Sequence, residues 1–198
     1  MVINIPTPYP LIKEFNQTKT NIDGLYLINL KQIEDDRGTI TELFRYCDYD
    51  KSIPNIPINW KQTNLTISKF GVIRGIHAEE MTKLVSVIHG EGFGVYVDLR
   101  KESKTLGNVF TTQLSQGIQV LVPNGVGNCF QSVSENGCHY LYCFDKEWQP
   151  SMKSINVNPT DIDLQVVWPI PLSQSILSSK DLGLPRLKEV LKNIKSTL

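Results

Sequence analysis

The sequence predicts an all-β protein of the sandwich or barrel class. Short segments of alternating apolar and polar residues recur along most of the 198-residue chain, separated by turns rich in glycine, asparagine and proline. Only residues 185–198 have a helical period. The 20 basic and 20 acidic residues balance, which argues against a nucleic-acid partner, and no apolar stretch is long enough to cross a membrane.

The N-terminal residues 1–24 are predicted to form an irregular arm, because proline, asparagine and threonine are frequent there. No basic segment followed by an apolar run opens the sequence, so we expect no signal peptide. The four cysteines, Cys47, Cys129, Cys138 and Cys143, form no C-x-x-C pair. Scattered thiols are typical of reduced core residues, and we expect a cytoplasmic protein.

The central residues 25–170 are predicted to form the strand-rich core of a single domain. The clearest hairpin is 83–100, in which Gly90 and Gly92 turn the chain between two alternating segments. Residues 46–59 contain two prolines and are predicted to form a loop. Further strands are predicted at 25–30, 39–44, 109–114, 118–122, 128–133 and 138–144.

Residues 171–198 are predicted to form a C-terminal segment that ends in an amphipathic helix. Pro185 suits the first position of that helix. Apolar residues follow at i, i+3, i+4, i+7 and i+11, namely Leu187, Val190, Leu191, Ile194 and Leu198. We expect this stripe to pack on the strands or on a partner, since it would otherwise be exposed.

His77 is a candidate base, because a cation stands on each side of it in the sequence, Arg74 and Lys83. Flanking cations lower the pKa of an imidazole and favour its neutral form. A structural histidine in a solvated loop is the alternative. Strict alternation places Arg74 and His77 on opposite faces of a strand, but Gly75 between them could host a β-bulge that re-aims one side chain.

The other two histidines are weaker candidates. His89 lies beside a turn and is predicted to be structural. His139 has the opposite parity to Tyr140 and Tyr142, so these three side chains cannot line one cavity without a bulge.

Three polar segments are unspecific when taken singly. The sequence Asp35-Asp36-Arg37-Gly38, followed by Glu42, is a charged turn. The sequence Gln62-Thr63-Asn64 suits a polar edge strand. Lys180 and Asp181 open the final segment, where Asp181 could cap a helix.

As an ordered set, these segments resemble the dTDP-4-dehydrorhamnose 3,5-epimerases, a family of cupins, over about residues 25–187. The set comprises Asp36-Arg37-Gly38 with Glu42, Gln62-Thr63-Asn64, 71–77, 83–85, 97–100, 105–107, 122–125, Leu141-Tyr142, Trp168-Pro169 and 177–181. The resemblance implies a double-stranded β-helix (cupin jelly roll). Patterning alone leaves an immunoglobulin-like sandwich equally open.

The resemblance also implies residue roles. His77 matches the general base, and Asp181 matches the carboxylate that orients it, with Asp98 as a second candidate. Tyr142 matches the acid that returns a proton from the opposite face, and Lys83 matches the lysine near the C4 oxygen. The substrate-binding candidates are Arg37, Glu42, Gln62, Thr63, Asn64, Arg74, Asn128 and Lys180, together with Trp148, where the family usually has a tyrosine that stacks on thymine.

The implied reaction inverts C3 and C5 of a nucleotide-linked 4-keto-6-deoxyhexose. A proton next to a ketone is a weak acid, so its removal requires a positioned base and a donor that stabilises the enolate. The reaction requires no redox cofactor or metal. A metal is also disfavoured because Gly75 stands where metal-binding cupins place a first histidine, and His77 with Glu79 or Glu80 makes a poor site.

Several departures from the family pattern leave the substrate open. Asn128 replaces a frequent histidine, Lys153 replaces a frequent glutamate, and the stretch between His77 and Lys83 is short. The alternatives are a 3- or 5-epimerase of another nucleotide sugar such as a GDP-4-keto-heptose, a non-catalytic sugar-binding cupin and a metal-dependent oxygenase. The resemblance further implies a homodimer in which residues 1–35 cross to the partner.

Overall fold

A computed structural model describes residues 10–53 and 59–196. The strands are β1 (Leu11–Lys13), β2 (Asn16–Lys19), β3 (Tyr26–Asn29), β4 (Gln32–Asp35), β5 (Gly38–Thr41), β6 (Gln62–Ser68), β7 (Ile73–Glu79), β8 (Lys83–His89), β9 (Gly92–Asp98), β10 (Val109–Leu114), β11 (Ile118–Val122), β12 (Val126–Ser132), β13 (Cys138–Phe144) and β14 (Ser154–Asn156). The α-helices are α1 (Tyr46–Ser52), α2 (Ser179–Leu182) and α3 (Leu187–Ser196), and 3-10 turns lie at Ile162–Leu164 and Leu172–Gln174. None of the helices in these two described ranges is long and apolar enough to cross a membrane.

The strands form three antiparallel sheets. One has six strands in the order β2-β3-β11-β8-β13-β6, one has five in the order β10-β9-β12-β7-β14, and a small one has the order β1-β4-β5. From β6 to β9 and from β11 to β13, consecutive strands alternate between the two large sheets. The predicted all-β sandwich is therefore confirmed, with the chain winding back and forth across its core.

The hydrophobic core lies in three layers. Side chains of both large sheets meet between them, among them Val85, Tyr96, Val120, Phe130 and Tyr140. The outer face of the five-stranded sheet is covered by the C-terminal segment, and α1 packs on the outer face of the six-stranded sheet. One end of the middle layer is polar, and this end contains the site described below.

The predicted hairpin at 83–100 is wrong, although both of its strands are present. Strand β8 pairs with β11 and β13, whereas β9 pairs with β10 and β12. The turn between Gly90 and Gly92 therefore joins two strands that face each other across the core. The alternation of a strand shows which faces it buries, but it does not identify the strand that it pairs with.

The irregular arm and the loop at 46–59 also need correction. Residues 11–13 and 16–19 are strands that pair with β4 and β3. Segments of this length are too short to show a period of two in the sequence, and they become strands because they pair with neighbouring strands. Within 46–59, α1 forms because Tyr49 and the following Ile53 are buried against the sheet. Residues 1–9 and 54–58 lie outside the described residues.

The C-terminal helix is confirmed as α3, and it packs on the outer face of the five-stranded sheet through the predicted apolar stripe. The backbone amide of Leu187, its first residue, donates to the buried carboxylate of Asp161 at 2.7 Å. Pro185 precedes the helix by two residues and is not at its first position. Leu198 lies outside the described residues.

Candidate active site

A polar cavity of about 240 Å³ opens at one end of the sandwich, between the two large sheets. Strands of both sheets contribute to its walls. Of the predicted site residues, the cavity brings together Asn64, Arg74, His77, Lys83, Asn128, Tyr142 and Trp148. Residues that lie up to 84 positions apart in the chain therefore share one small space.

A β-bulge in β7 lets both Arg74 and His77 face this cavity. In the ladder with β12, His77 pairs with Asn128 and Arg74 pairs with Phe130, which leaves one extra residue on β7. Gly75 occupies the bulge with φ of +123°, and a Cβ there would lie 2.5 Å from the carbonyl oxygen of Asn128. Only glycine fits such a contact, so the bulge predicted at this position is confirmed.

His77 forms a dyad with Asp181. The distance between His77 Nε2 and Asp181 Oδ1 is 2.8 Å, and the exposed fractions of the two side chains are 30% and 8%. An ionised carboxylate can only accept a hydrogen bond, so Nε2 carries the proton of the neutral ring. Nδ1 is then the nitrogen that is free to accept a proton, as expected for a general base.

Ser178 holds the carboxylate of Asp181 in place. The Ser178 hydroxyl accepts a hydrogen bond from the Asp181 amide at 3.0 Å and donates one to Asp181 Oδ2 at 2.9 Å. Ser178 is therefore the N-cap of α2, and Asp181 lies in the first turn of this helix. The predicted capping role of Asp181 is wrong, since serine supplies the cap.

Lys83 is buried beside the dyad. Its ammonium group donates to the carbonyl oxygen of His77 at 3.3 Å and pairs with the carboxylate of Glu79. An ammonium group has three N–H donors, so one remains for another acceptor. The exposed fraction of the Lys83 side chain is 5%, which places its charge in a desolvated setting where it acts strongly.

Tyr142 reaches the cavity from β13. Its hydroxyl shares a hydrogen bond of 2.6 Å with Thr66 Oγ1. Burial raises the pKa of Tyr142, and the hydrogen bond with Thr66 and the charge of Arg74 offset only part of that rise. The phenol therefore remains protonated at neutral pH and is available as an acid.

Short hydrogen-bonded chains order the polar rim of the cavity. Gln62 Oε1 accepts from the backbone amide of Trp148 at 2.8 Å, and Gln62 Nε2 donates to Asn64 Oδ1 at 3.0 Å. Arg74 Nε donates to Ser68 Oγ at 3.1 Å. Gln62 thus supports two lining residues although it does not itself line the cavity.

Asp98 is not the partner of His77, which corrects the second candidate for that role. Its carboxylate accepts hydrogen bonds from Arg100 Nε at 2.9 Å, Ser103 Oγ at 2.5 Å and Thr105 Oγ1 at 2.6 Å. Burial alone would raise the pKa of Asp98, but these hydrogen bonds outweigh burial and lower it. Asp98 therefore holds the turn after β9.

Four more predicted binding residues lie away from the cavity of their own chain. Arg37 pairs with Asp35 at 2.5 Å in the β4–β5 hairpin, and Glu42 pairs with Arg45. Thr63 faces the outer side of the six-stranded sheet, where its hydroxyl contacts the sulfur of Cys143 at 3.6 Å. The fourth is Lys180, which is exposed on α2.

The remaining histidines lie apart from the cavity. The rings of His89 and His139 contact each other with centroids 4.8 Å apart on the outer side of β8 and β13. Tyr140 and Tyr142 point to the inner side, as the parity predicted. In the part of the chain that the structure describes, no three histidine, cysteine or acidic side chains are grouped so that they could hold a metal ion.

Some site residues were missed by the sequence interpretation. Thr66 and Ser68 share the period of two with Gln62 and Asn64 along β6, so that parity was a usable indication. Ser178 stands three residues before Asp181, the spacing of a capping box. The contact of Glu79 with Lys83 bridges a turn between two sheets and has no sequence pattern of its own.

The comparisons with known proteins agree with this geometry. The family model described as dTDP-4-dehydrorhamnose 3,5-epimerase matches residues 19–189. The epimerase of that name from Methanothermobacter thermautotrophicus is 31% identical, with 89% of this chain and 96% of the relative covered. A protein described as an RmlC homolog from Streptococcus pyogenes is 33% identical, with coverages of 85% and 87%.

Solved structures show the same likeness. RmlC of Legionella pneumophila, in complex with dTDP-4-keto-L-rhamnose, superimposes with a TM-score of 0.81 at 30% identity, covering 91% of this chain and 97% of the relative. NovW, a 4-keto-6-deoxy sugar epimerase of Streptomyces spheroides, gives a TM-score of 0.85 at 27% identity and covers 94% of both chains. The cupin jelly roll is thus confirmed. The chain belongs to the dTDP-4-dehydrorhamnose 3,5-epimerase family and is an isomerase.

Proposed function

We propose that the protein inverts C3 and C5 of dTDP-4-keto-6-deoxyglucose, giving dTDP-4-dehydrorhamnose. One observation carries this proposal: the His77–Asp181 dyad, Lys83 and Tyr142 converge on one cavity. A base, a cation and a phenolic acid are the groups that proton removal and return next to a ketone require.

In the first half-reaction, His77 Nδ1 removes the proton from the carbon next to the ketone. Asp181 stabilises the imidazolium that forms, because its Oδ1 already accepts from Nε2. The remaining N–H of Lys83 donates to the C4 oxygen as it gains negative charge. Such a preorganised donor contributes about 3–4 kcal/mol to transition-state stabilisation.

In the second half-reaction, the Tyr142 hydroxyl returns a proton to the opposite face of the sugar, and solvent then reprotonates the phenolate and takes the proton from His77. Its protonated state and its hydrogen bond with Thr66 suit this role. Arg74, Asn64 and Trp148 are proposed to hold the nucleotide diphosphate. Support comes from relatives solved with dTDP-D-xylose and with dTDP-4-keto-L-rhamnose.

The test is solvent exchange in deuterated water with dTDP-4-keto-6-deoxyglucose, followed by NMR. We expect deuterium at C3 and C5 with the wild type and none above background with His77→Ala. Tyr142→Phe should slow inversion more than exchange, because the base is intact. Absence of exchange at both carbons in the wild type would exclude this substrate.

A second candidate is a 3-epimerase. A dTDP-4-dehydrorhamnose 3-epimerase of Streptomyces niveus is 30% identical, with 81% of this chain and 78% of the relative covered. Exchange at C3 alone in the same experiment would favour it. The GDP-sugar alternative predicts thermal stabilisation by GDP and not by dTDP, since a ligand stabilises the folded state that binds it.

We also propose that residues 1–198 form one domain and that the protein is a cytoplasmic homodimer. Two observations support the dimer: Arg37 lies away from the cavity of its own chain, and β1 and β5 expose Leu11, Ile12 and Ile40 by 59%, 49% and 65%. Light scattering should give twice the chain mass. Arg37→Ala should raise KM if Arg37 reaches the partner's cavity.

A further inference from the structure

We infer that Tyr140 is a positioning residue, which fixes the side-chain amide of Asn128 so that its NH2 group donates to a substrate oxygen. The inference rests on the proposed function, because it concerns how the same cavity holds a nucleotide sugar. Tyr140 does not itself line the cavity, so its hydroxyl would act through Asn128. Its ring also packs against Phe130 and Tyr142, two contacts that a phenylalanine at position 140 retains.

Tyr140 is fixed by its surroundings. It is fully buried between the sheets, and its ring stacks on Phe130 with centroids 4.0 Å apart and planes at 2°. Its hydroxyl donates to Asn128 Oδ1 at 3.0 Å. The stacked ring fixes the position of the hydroxyl oxygen, so packing sets its distance from Asn128.

The contact also joins the two large sheets. Tyr140 lies on β13 and Asn128 on β12, which belong to different sheets. Asn128 is 7% exposed, and what is exposed faces the cavity. The amide therefore sits at the boundary between the apolar core and the polar space, supported from the core side.

Whether an asparagine presents a donor or an acceptor to a cavity depends on which end of its side-chain amide already has a hydrogen-bond partner. An asparagine side chain has one acceptor oxygen and an NH2 group with two donors. With Oδ1 occupied by Tyr140, the donors of Nδ2 remain for the cavity. At this part of the wall, next to His77 and Lys83, Asn128 thus donates to an oxygen atom of the ligand, either of the diphosphate or of the sugar.

The alternative polarity is disfavoured by burial. If Tyr140 accepted from Nδ2, its own proton would go to the buried hydroxyl of the neighbouring Tyr96, which has no other hydrogen-bond partner among the described residues. The Tyr96 proton would then lack an acceptor, and an unmade buried hydrogen bond costs about 1–3 kcal/mol. Donation from Tyr140 to Oδ1 instead leaves the Tyr140 oxygen free to accept from Tyr96. Burial also raises the pKa of Tyr140, so the phenol keeps its proton and remains a donor.

The experiment compares Tyr140→Phe, Asn128→Ala and the double variant. Binding of dTDP and of dTDP-D-xylose is measured by calorimetry, and kcat and KM are measured with the 4-keto sugar. Tyr140→Phe should raise Kd and KM about 3- to 10-fold, the loss of one oriented hydrogen bond, and leave kcat within about 2-fold. In the Asn128→Ala background it should have no further effect.

The matched control is Tyr49→Phe. Tyr49 is a buried tyrosine whose hydroxyl also donates to a side-chain amide oxygen, that of Gln119, but it belongs to α1, on the outer face of the six-stranded sheet and away from the cavity. The Tyr49→Phe substitution should leave Kd and KM unchanged. Weakening of dTDP-D-xylose alone assigns the oxygen to the sugar, and equal weakening of dTDP assigns it to the diphosphate.

Asn128→Asp keeps the acceptor for Tyr140 and removes the donors. It should bind dTDP-D-xylose at least 10-fold more weakly, which tests the donor role of Asn128 even if Tyr140→Phe folds poorly. Wild-type affinity in Tyr140→Phe or Asn128→Asp, or an equal penalty in the Asn128→Ala background, would overturn it.

A readout without ligand separates this inference from the proposed function. The NH2 signals of Asn128, assigned by their loss in Asn128→Asp, should shift in Tyr140→Phe and stay in place in Tyr49→Phe. Unshifted signals would overturn the inference. If the wild type binds no dTDP compound, the proposed function fails, and this measurement still decides the role of Tyr140.

Discussion

Asp181 and Asp98 are both buried carboxylates, but they lie in regions with different kinds of partner. At the turn after β9, Asp98 accepts from Arg100, Ser103 and Thr105, and all of these donors belong to its own turn. On α2, Asp181 receives support from Ser178 at one oxygen and offers the other to a histidine 104 residues away.

The difference in hydrogen-bond partners assigns different roles to Asp98 and Asp181. A carboxylate whose oxygens are all occupied by local donors stabilises the fold, whereas one that holds a partly exposed imidazole can tune a reaction. Burial does not separate the two, because Asp98 is 0% and Asp181 6% exposed. The predictions below test whether activity and stability divide between these regions as the contacts suggest.

The largest effect is expected from Asp181→Asn. The amide cannot stabilise an imidazolium and favours the wrong tautomer of His77, so kcat should fall by about 10²- to 10⁴-fold. Steady-state kinetics and the thermal midpoint measure the two quantities separately. A wild-type kcat, or a loss of activity explained by unfolding, would remove Asp181 from the mechanism.

Asp98→Asn should act on stability instead. It leaves Arg100 without a charged partner and weakens the bonds to Ser103 and Thr105, so we expect a loss of about 2–4 kcal/mol in the free energy of unfolding. Urea denaturation measures this loss. Glu102→Gln, an exposed carboxylate in the same turn, is the control and should be neutral. A variant with full stability and reduced kcat would reverse the comparison.

Ser178→Ala should affect both quantities modestly. Loss of the N-cap should cost about 1 kcal/mol, and the freed Asp181 carboxylate should lower kcat about 3- to 10-fold. Ser179→Ala is the matched control, since Ser179 is exposed and is not the cap. An unchanged kcat with the expected loss of stability would restrict Ser178 to a structural role.

The smallest effect is expected on the free energy of unfolding when the pH is lowered. The pKa of Asp98 is lower in the folded protein than in the unfolded chain, so its stabilisation is complete above about pH 4 and is lost as the pH falls through the folded value. The stability difference between wild type and Asp98→Asn should therefore shrink below pH 4. A difference that grows on acidification would contradict the shift.

The sequence predicted local features of the fold better than its pairings. Alternation identified β10, β11 and β13, and a glycine between two polar residues indicated the bulge in β7, because these depend on neighbours in the chain. The partners of β8 and β9 depend on how the chain winds across the core, which no local pattern contains. Asp181 was the first candidate for the partner of His77 and the structure pairs the two, but only the family resemblance favoured it over Asp98, since the partners of both carboxylates are set by tertiary structure.

The segment that carries Asp181 lies outside the sandwich and reaches His77 only after the chain has continued past the last cavity wall at Trp148. The walls of the cavity and the carboxylate of its base therefore belong to separate parts of the chain, joined where α2 packs on β7. Any change that loosens the docking of α2 on β7 would therefore separate His77 from its carboxylate while the strands that form the cavity stay in place.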